Sequence, residues 1–140
     1  DARAIYFGMT LKHTKAHMIR STMEGIVYSM KESYDIFHSM GITAERMIAA
    51  GGGAKSRLFR QIQADMYQCQ VYRNQEKEQA GVGAAMTAAV GSGYFRNYGE
   101  ACDSMVHLCS EVTEPVPENM KRYEEDFQRI KEIYHANKKL

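Results

Sequence analysis

The stretch MIAAGGGAKS, residues 47–56, decides how this chain is expected to fold. A short apolar run meets three consecutive glycines, Gly51 to Gly53, and a polar segment compatible with a helix follows. A strand that turns through glycine into a helix lets a ligand approach bare backbone and points free N–H groups at that ligand. The stretch therefore predicts a strand–turn–helix corner of the kind that binds nucleotide phosphates.

The better-defined phosphate-binding motifs do not fit this corner. No Gly-Lys-Ser/Thr stands at the spacing of a P-loop, and there is no G-x-G-x-x-G with an acidic partner after a second strand. Lys55 and Ser56 are placed to donate to a phosphate at the start of the helix. Ser56 is equally suited to cap that helix, which is the interpretation that the residues alone favour.

Apolar side chains recur every three or four positions over residues 13–39, which predicts a long amphipathic helix that ends before Gly41. The apolar positions are Ile19, Met23, Ile26, Val27, Met30, Tyr34 and Phe37. The charged positions, expected largely elsewhere on the helix, are Lys15, Arg20, Glu24, Lys31 and Glu32.

The remaining pattern alternates short strands with helices. Strands are predicted over residues 46–50 and 70–73, and helices over 55–66, 80–91, 98–106 and 118–138, the last beginning after Pro117. The helix over 80–91 consists mostly of alanine and glycine, which suits close packing against a sheet or another helix. This order predicts an α/β protein that is rich in helix and has a truncated small sheet.

Two strands cannot cover several amphipathic helices, so we expect missing chain or a second copy to complete the sheet. The chain also starts with Asp1-Ala2-Arg3, which is not an initiator sequence, and enters an apolar stretch almost at once. We therefore expect a piece of a longer protein. The isolated piece is expected to self-associate through its uncovered apolar surface.

Composition narrows the class of protein. The 140 residues, one domain's worth of chain, carry a net charge of +1 with acids and bases interspersed, which gives no case for nucleic acid or a membrane surface as partner. The three cysteines, Cys69, Cys102 and Cys109, show no paired spacing, so a reducing cytoplasm is expected.

The sequence gives little support for a metal-binding site or for a catalytic nucleophile. His13 and His17 lie four residues apart, as in a two-histidine zinc site, but no glutamate general base stands between them and no third ligand is evident. Polar groups at a helix start are the favoured interpretation of both residues. No base is identifiable for the cysteines, and the acids at 124–126 lie among basic residues as a solvated, paired face.

Four segments together resemble the FGGY carbohydrate kinases. AIYFGM (4–9) followed by HMIRSTME (17–24) is similar to the second signature of that family, and residues 51–65 resemble its adenosine segment in the form typical of bacterial xylulokinases. Residues 82–89 resemble the family's small-residue helix. Pro117-Glu118-Asn119 and the tyrosine-rich tail are similar to xylulokinase C-termini.

The resemblance implies a fold and a set of contacts. The chain, residues 1–140, would be the latter part of the second, ATP-binding domain, which has the actin/hexokinase-like (ribonuclease H-like) ATPase fold. Gly52 and Gly53 would pass close to the adenosine and α-phosphate, with Ala54 and Ser56 beside them. Arg57 would occupy the adenine-side position, where many relatives carry asparagine.

The resemblance also implies what lies outside this chain. ATP with Mg²⁺ would be the phosphoryl donor and a ketopentose, D-xylulose, the acceptor. The catalytic aspartate, the Mg²⁺ ligands and the sugar site belong to earlier segments of the family. No catalytic or metal-binding residue is therefore expected here, and the isolated chain should be inactive. Two alternatives stay open: a standalone nucleotide-binding or assembly module, and a structural helical domain whose glycine corner binds nothing.

Overall fold

The structure, a computed structural model, describes residues 4–76 and 78–138. The elements are α1 (Lys15–Ser39), β1 (Arg46–Ala49), a 3-10 turn (Gly52–Lys55), α2 (Arg57–Tyr67), β2 (Gln70–Arg73), α3 (Gln79–Gly91), α4 (Tyr98–Met105) and α5 (Pro117–Asn137). Each predicted helix and strand forms, with its boundaries displaced by no more than two residues. The unusual start, Asp1-Ala2-Arg3, lies outside the described residues.

The contacts within the chain define two compact units. Of the described residues, the helical unit comprises 4–43, 62–68 and 115–138, and the strand unit comprises 44–61, 69–76 and 78–114. The first turn of α2 therefore belongs to the strand unit and the rest of that helix to the helical unit. Each unit has buried side chains of its own.

The core of the helical unit forms where α1, the second part of α2 and α5 contribute apolar side chains. Tyr28 and Phe127 stack with their ring centroids 5.9 Å apart. Asp65 is 1% exposed and accepts hydrogen bonds from the Val116 N–H and the Asn119 side chain, both at 2.8 Å. A carboxylate thus caps the start of α5, where the helix dipole favours negative charge. The other fully buried side chains here are Val27, Ile62, Ala64 and Met66.

Helix α1 departs from the predicted division into an apolar and a charged face. Lys31 was expected largely among the exposed charges but is buried. Its ammonium lies 3.0 Å from Asp35 and 5.0 Å from the centroid of the Phe127 ring. An apolar stem and a cation–π contact explain why a lysine occupies this core position. Several predicted core positions are instead about half exposed: Ile19, Ile26, Met30 and Phe37.

The strand unit is organised by a parallel pair. β1 and β2 pair from Arg46 opposite Gln70 to Ala49 opposite Arg73. The segment 107–113 runs along the other side of β2 in the antiparallel sense, because Val71 and Thr113 exchange both backbone hydrogen bonds, at 3.0 and 2.9 Å. The sequence does not predict this third, irregular chain of the sheet.

Helix α3 packs against α4 in the strand unit, but its small residues are mostly not covered. Met86 is buried, whereas Gly83, Ala84, Ala85 and Ala88 are exposed. The expected close packing of this helix is therefore not seen among the described residues. None of the helices in the described part of the chain combines the length and the apolar character that crossing a bilayer requires.

Candidate functional site

The glycine corner follows β1 directly, as predicted, but a separate turn lies between the strand and the helix. Gly51 has φ +68° and ψ −161°, a conformation that side chains with a Cβ rarely adopt. The 3-10 turn Gly52–Lys55 comes next, and α2 begins only at Arg57. The prediction that the glycines lead straight into a helix from Lys55 is therefore corrected by one short turn.

The three glycines have three different surroundings. At Gly51 the positive φ favours glycine over any residue with a Cβ. A Cβ placed on Gly53 would lie 2.7 Å from two ring carbons of Phe59, closer than real side chains approach. A Cβ on Gly52 would meet nothing within 4 Å, and its φ is unstrained. Of the three glycines, Gly52 alone has open space at its Cβ position and neither a positive φ nor a packing contact that requires glycine there.

Some backbone N–H groups of the corner donate hydrogen bonds within the turn, and others have no acceptor there. The Ala54 N–H donates to the Gly51 carbonyl at 3.3 Å, and the Ser56 N–H donates to the Gly53 carbonyl at 3.0 Å. The first N–H groups of a helical turn have no acceptor inside it, and here these belong to Gly52 and Gly53. The donors predicted at the start of α2 are therefore found one turn earlier.

Ser56 caps α2, the interpretation that the sequence favours for it. The Phe59 N–H donates to Ser56 Oγ at 3.2 Å, and the Arg60 N–H donates to the Ser56 carbonyl at 3.1 Å. These bonds satisfy two donors of the first turn. The side chains of Lys55 and Arg57 are exposed, whereas that of Ala54 is buried, so Ala54 presents only its backbone. The five predicted residues, Gly52, Gly53, Ala54, Ser56 and Arg57, thus form one corner.

Arg60 belongs to this corner although the sequence gives no sign of it. Its side chain is 4% exposed, and Nη1 donates to the Ala54 carbonyl at 2.7 Å. Nη2 donates to Glu111 Oε1 at 2.9 Å, and Nε donates to Thr113 Oγ1 at 3.4 Å. Both partners are about fifty positions away in the chain, so no local pattern could have indicated these contacts.

The two histidines near the start of α1, His13 before it and His17 in its first turn, act as helix-start groups, as predicted. The Thr10 N–H donates to His13 Nδ1 at 3.0 Å, and the Thr14 N–H donates to His17 Nδ1 at 3.1 Å. With Thr14 as the N-cap, His17 completes a reciprocal capping box at the beginning of α1. Within residues 4–76 and 78–138, no three His, Cys, Asp or Glu side chains are grouped so that they could hold a metal ion.

A cavity of about 290 Å³ lies within the helical unit, beside the start of α1 and the first half of α5. Three of its polar side chains are hydrogen-bonded to one another. Arg20 donates to Glu24 at 2.9 Å and to the Tyr123 hydroxyl at 3.1 Å, and that hydroxyl donates to Glu24 at 2.8 Å. Burial raises the pKa of Tyr123 to about 12. These internal partners leave the glycine corner as the stronger candidate site.

Comparison with known families assigns the chain to one of them. The profile described as the FGGY family of carbohydrate kinases, C-terminal domain, matches residues 1–92. The chain belongs to the FGGY family. The match includes α1, both strands, the glycine corner and α2.

Individual FGGY relatives agree with this assignment. A xylulose kinase of Staphylococcus epidermidis is 37% identical over 138 residues, which is 99% of this chain and 28% of that protein. The crystal structure of a xylulose kinase from Rhodospirillum rubrum superimposes with a TM-score of 0.82 at 25% identity, over 96% of this chain and 27% of the other. A gluconate kinase structure from Lactobacillus acidophilus superimposes with a TM-score of 0.83 at 24% identity, over 96% of this chain and 27% of the other.

These comparisons fix the fold and the part of the family concerned. The chain has part of the actin/hexokinase-like fold, and it corresponds to the C-terminal part of FGGY kinases. It spans 28% of the length of the Staphylococcus epidermidis relative. Most of the length of that relative therefore has no counterpart in these 140 residues.

Proposed function

We propose that residues 1–140 are the latter part of the second, nucleotide-binding domain of a longer sugar kinase. The family match over residues 1–92 supports this proposal, as does the alignment of nearly the whole chain with the C-terminal part of a longer relative. The longer protein would transfer the γ-phosphoryl group of ATP to a sugar hydroxyl. We also propose that it acts in the cytoplasm, which the three free cysteines support.

The proposed acceptor is D-xylulose, which would become D-xylulose 5-phosphate. The support is the 37% identity to a xylulose kinase over almost the entire chain. A gluconate kinase structure superimposes equally well, so gluconate is the competing acceptor. The proposed sugar site lies in the N-terminal part of the longer protein.

The observation that carries a nucleotide site in this chain is the open space beside Gly52. The N–H groups of Gly52 and Gly53 have no acceptor within their turn, and they stand where the adenosine and α-phosphate are proposed to pass. Ser56 would contribute its hydroxyl. Ala54 would lie beside the nucleotide in van der Waals contact only, because its N–H donates to Gly51 and its carbonyl accepts from Arg60. The exposed Arg57 guanidinium would stack over the adenine, because a planar cation stacks well on an aromatic ring.

The chemistry of transfer is proposed to depend on residues elsewhere. Phosphoryl transfer requires positioning of the nucleotide, stabilisation of charge and a base for the attacking hydroxyl. Mg²⁺ bound with ATP would neutralise developing charge, and its ligands are proposed to lie in the preceding chain. Residues of this chain would orient the nucleotide, so the 140 residues alone are expected to show no turnover.

Turnover by the full-length protein tests the proposal. With ATP and Mg²⁺, phosphorylation of D-xylulose should have the highest kcat/KM, and gluconate should be used far less well. The 140-residue chain, assayed at the same concentration, serves as the control and should give no product. A full-length protein that prefers gluconate would overturn the xylulose assignment alone. One that consumes no ATP with any sugar would overturn the kinase proposal. Turnover by the isolated chain would overturn the proposal that the catalytic residues lie elsewhere in the longer protein.

A further inference from the structure

Arg60 carries a full charge in a nearly closed environment. Its guanidinium has three acceptors within the strand unit: the Ala54 carbonyl at 2.7 Å, Glu111 at 2.9 Å and Thr113 Oγ1 at 3.4 Å. Burying a cation is costly unless its donors are bonded, and these three contacts supply that compensation. The nucleotide contacts proposed above do not involve this side chain, which is 4% exposed.

One of the three acceptors belongs to the proposed nucleotide corner. Ala54 follows Gly53, and its carbonyl lies in the 3-10 turn that presents Gly52 and Gly53. Another acceptor, Thr113, is tied to the sheet because it exchanges two backbone hydrogen bonds with Val71 of β2. Arg60 therefore connects the glycine turn to the side of β2 opposite β1.

We infer that Arg60 is a positioning residue for the nucleotide, and that it acts by holding the 3-10 turn at the place where Gly52 and Gly53 meet ATP. This inference rests on the proposed function of the corner. Arg60 would act through the Ala54 carbonyl and would not touch the ligand. Its removal should therefore loosen the turn and weaken ATP binding, while the sugar site and the chemical step remain as they were.

The geometry explains why this residue is an arginine. The three acceptors require donors that point in different directions from one planar group, which a guanidinium supplies. A lysine has one nitrogen at the end of a flexible stem. Arg60→Lys should retain the charge beside Glu111 without holding the turn, whereas Arg60→Met should lose both.

Arg73 offers a matched control. Its Nη2 lies 3.8 Å from Glu111 Oε2, so it contacts the same carboxylate, but among the described residues its side chain has no hydrogen bond or ion pair with the turn. Arg73→Met removes a cation from Glu111 and leaves the Arg60–Ala54 bond in place. A difference between Arg60→Met and Arg73→Met therefore reports on the turn, because both variants disturb the same carboxylate.

The test measures steady-state kinetics and amide hydrogen exchange on the full-length protein. Arg60→Met should raise the KM for ATP about tenfold, the effect expected from losing one hydrogen bond to a charged donor. Its kcat and its KM for sugar should stay within about twofold of the unmodified values. Exchange at residues 51–59 should be about tenfold faster than in Arg73→Met, and Arg60→Lys should recover thermal stability but not the KM for ATP.

Two results would overturn the inference. One is an Arg60→Met variant whose KM for ATP and exchange at 51–59 match those of Arg73→Met. The other is an Arg60→Met variant in which the KM values for ATP and for sugar rise together, as expected from general loss of structure. Failure of the proposed function is seen separately, because an unmodified protein that does not use ATP shows it before any variant is made.

Discussion

The Cβ position of Gly53 lies 2.7 Å from Cδ1 and Cε1 of Phe59, so the ring occupies the space that any side chain at residue 53 would need. Phe59 lies in the first turn of α2, and its own N–H donates to Ser56. Gly53 is therefore required by packing within the strand unit, whatever it also does for a ligand. Gly52, its neighbour, has no such constraint.

The first prediction follows from this contact. Gly53→Ala should destabilise the chain by about 1–3 kcal/mol, because the ring or the turn must move to admit the methyl group. Phe59→Leu in the same chain should recover part of that loss, since a smaller side chain leaves room for the new Cβ. Denaturant unfolding of the two single variants and the double variant checks this. Strictly additive free energies of unfolding would contradict the steric explanation.

Ser56 permits a separation of helix capping from ligand contact. Ser56→Ala should cost about 1 kcal/mol of stability, because Ser56 Oγ accepts from the Phe59 N–H at 3.2 Å. Ser56→Asp should keep the cap and the stability, since aspartate is also a good N-cap. Its negative charge should nevertheless raise the KM for ATP in the full-length protein. An aspartate variant with unchanged stability and unchanged KM would remove Ser56 from the nucleotide contacts.

Alkaline pH should destabilise the helical unit through Tyr123. Burial, assisted by the hydrogen bond to Glu24, raises the pKa of this phenol from 10.0 to about 12, although Arg20 opposes the shift. Below about pH 10 the phenol is neutral in both folded and unfolded chains, and its contribution is complete. Between about pH 10 and pH 12 the unfolded chain ionises first, so stability falls as pH rises.

Tyr123→Phe should reduce this alkaline loss of stability without abolishing it, because burial also raises the pKa of Tyr28. Denaturant midpoints measured across the alkaline range, for the unmodified chain and the variant, provide the test. Absorbance of ionised tyrosine gives an independent readout in the folded state. Identical pH dependence of the two midpoints would show that Tyr123 does not ionise late.

The isolated chain should self-associate through α1. Ile19, Ile26, Met30 and Phe37 are each about half exposed on a helix that the sequence marks as amphipathic. Contiguous exposed apolar surface of this kind favours association. Light scattering should give a mass above that of one chain, and Ile26→Glu with Met30→Glu should lower it, whereas Glu32→Gln should not. A monomeric mass at high protein concentration would contradict this prediction.

Local patterns predicted the elements of this fold because they depend on neighbouring residues. The step of three or four residues in α1, the proline at the start of α5 and the glycines after β1 are all readable from the sequence. The side chain of Lys31 was misplaced, since its burial depends on Phe127 in a distant helix. The chain over 107–113 was missed because it has no strong apolar alternation.

The sequence predicts where the glycine corner lies in the fold but not how the corner is built. Three adjacent glycines look alike in the sequence, and only the conformation of Gly51, the ring of Phe59 and the open space at Gly52 distinguish them. Arg60 was missed for a related reason. Its acceptors Glu111 and Thr113 come from a part of the chain that the sequence does not place near the corner.

Gly52 gives the most direct test of the nucleotide corner. In the full-length protein, Gly52→Ala should leave the unfolding temperature unchanged, because its Cβ would meet nothing within 4 Å. Gly91→Ala is the matched control, since that position is also open and has no positive φ. The account predicts that Gly52→Ala raises the KM for ATP roughly tenfold, while Gly91→Ala does not. A Gly52→Ala protein with unchanged stability and an unchanged KM for ATP would contradict it.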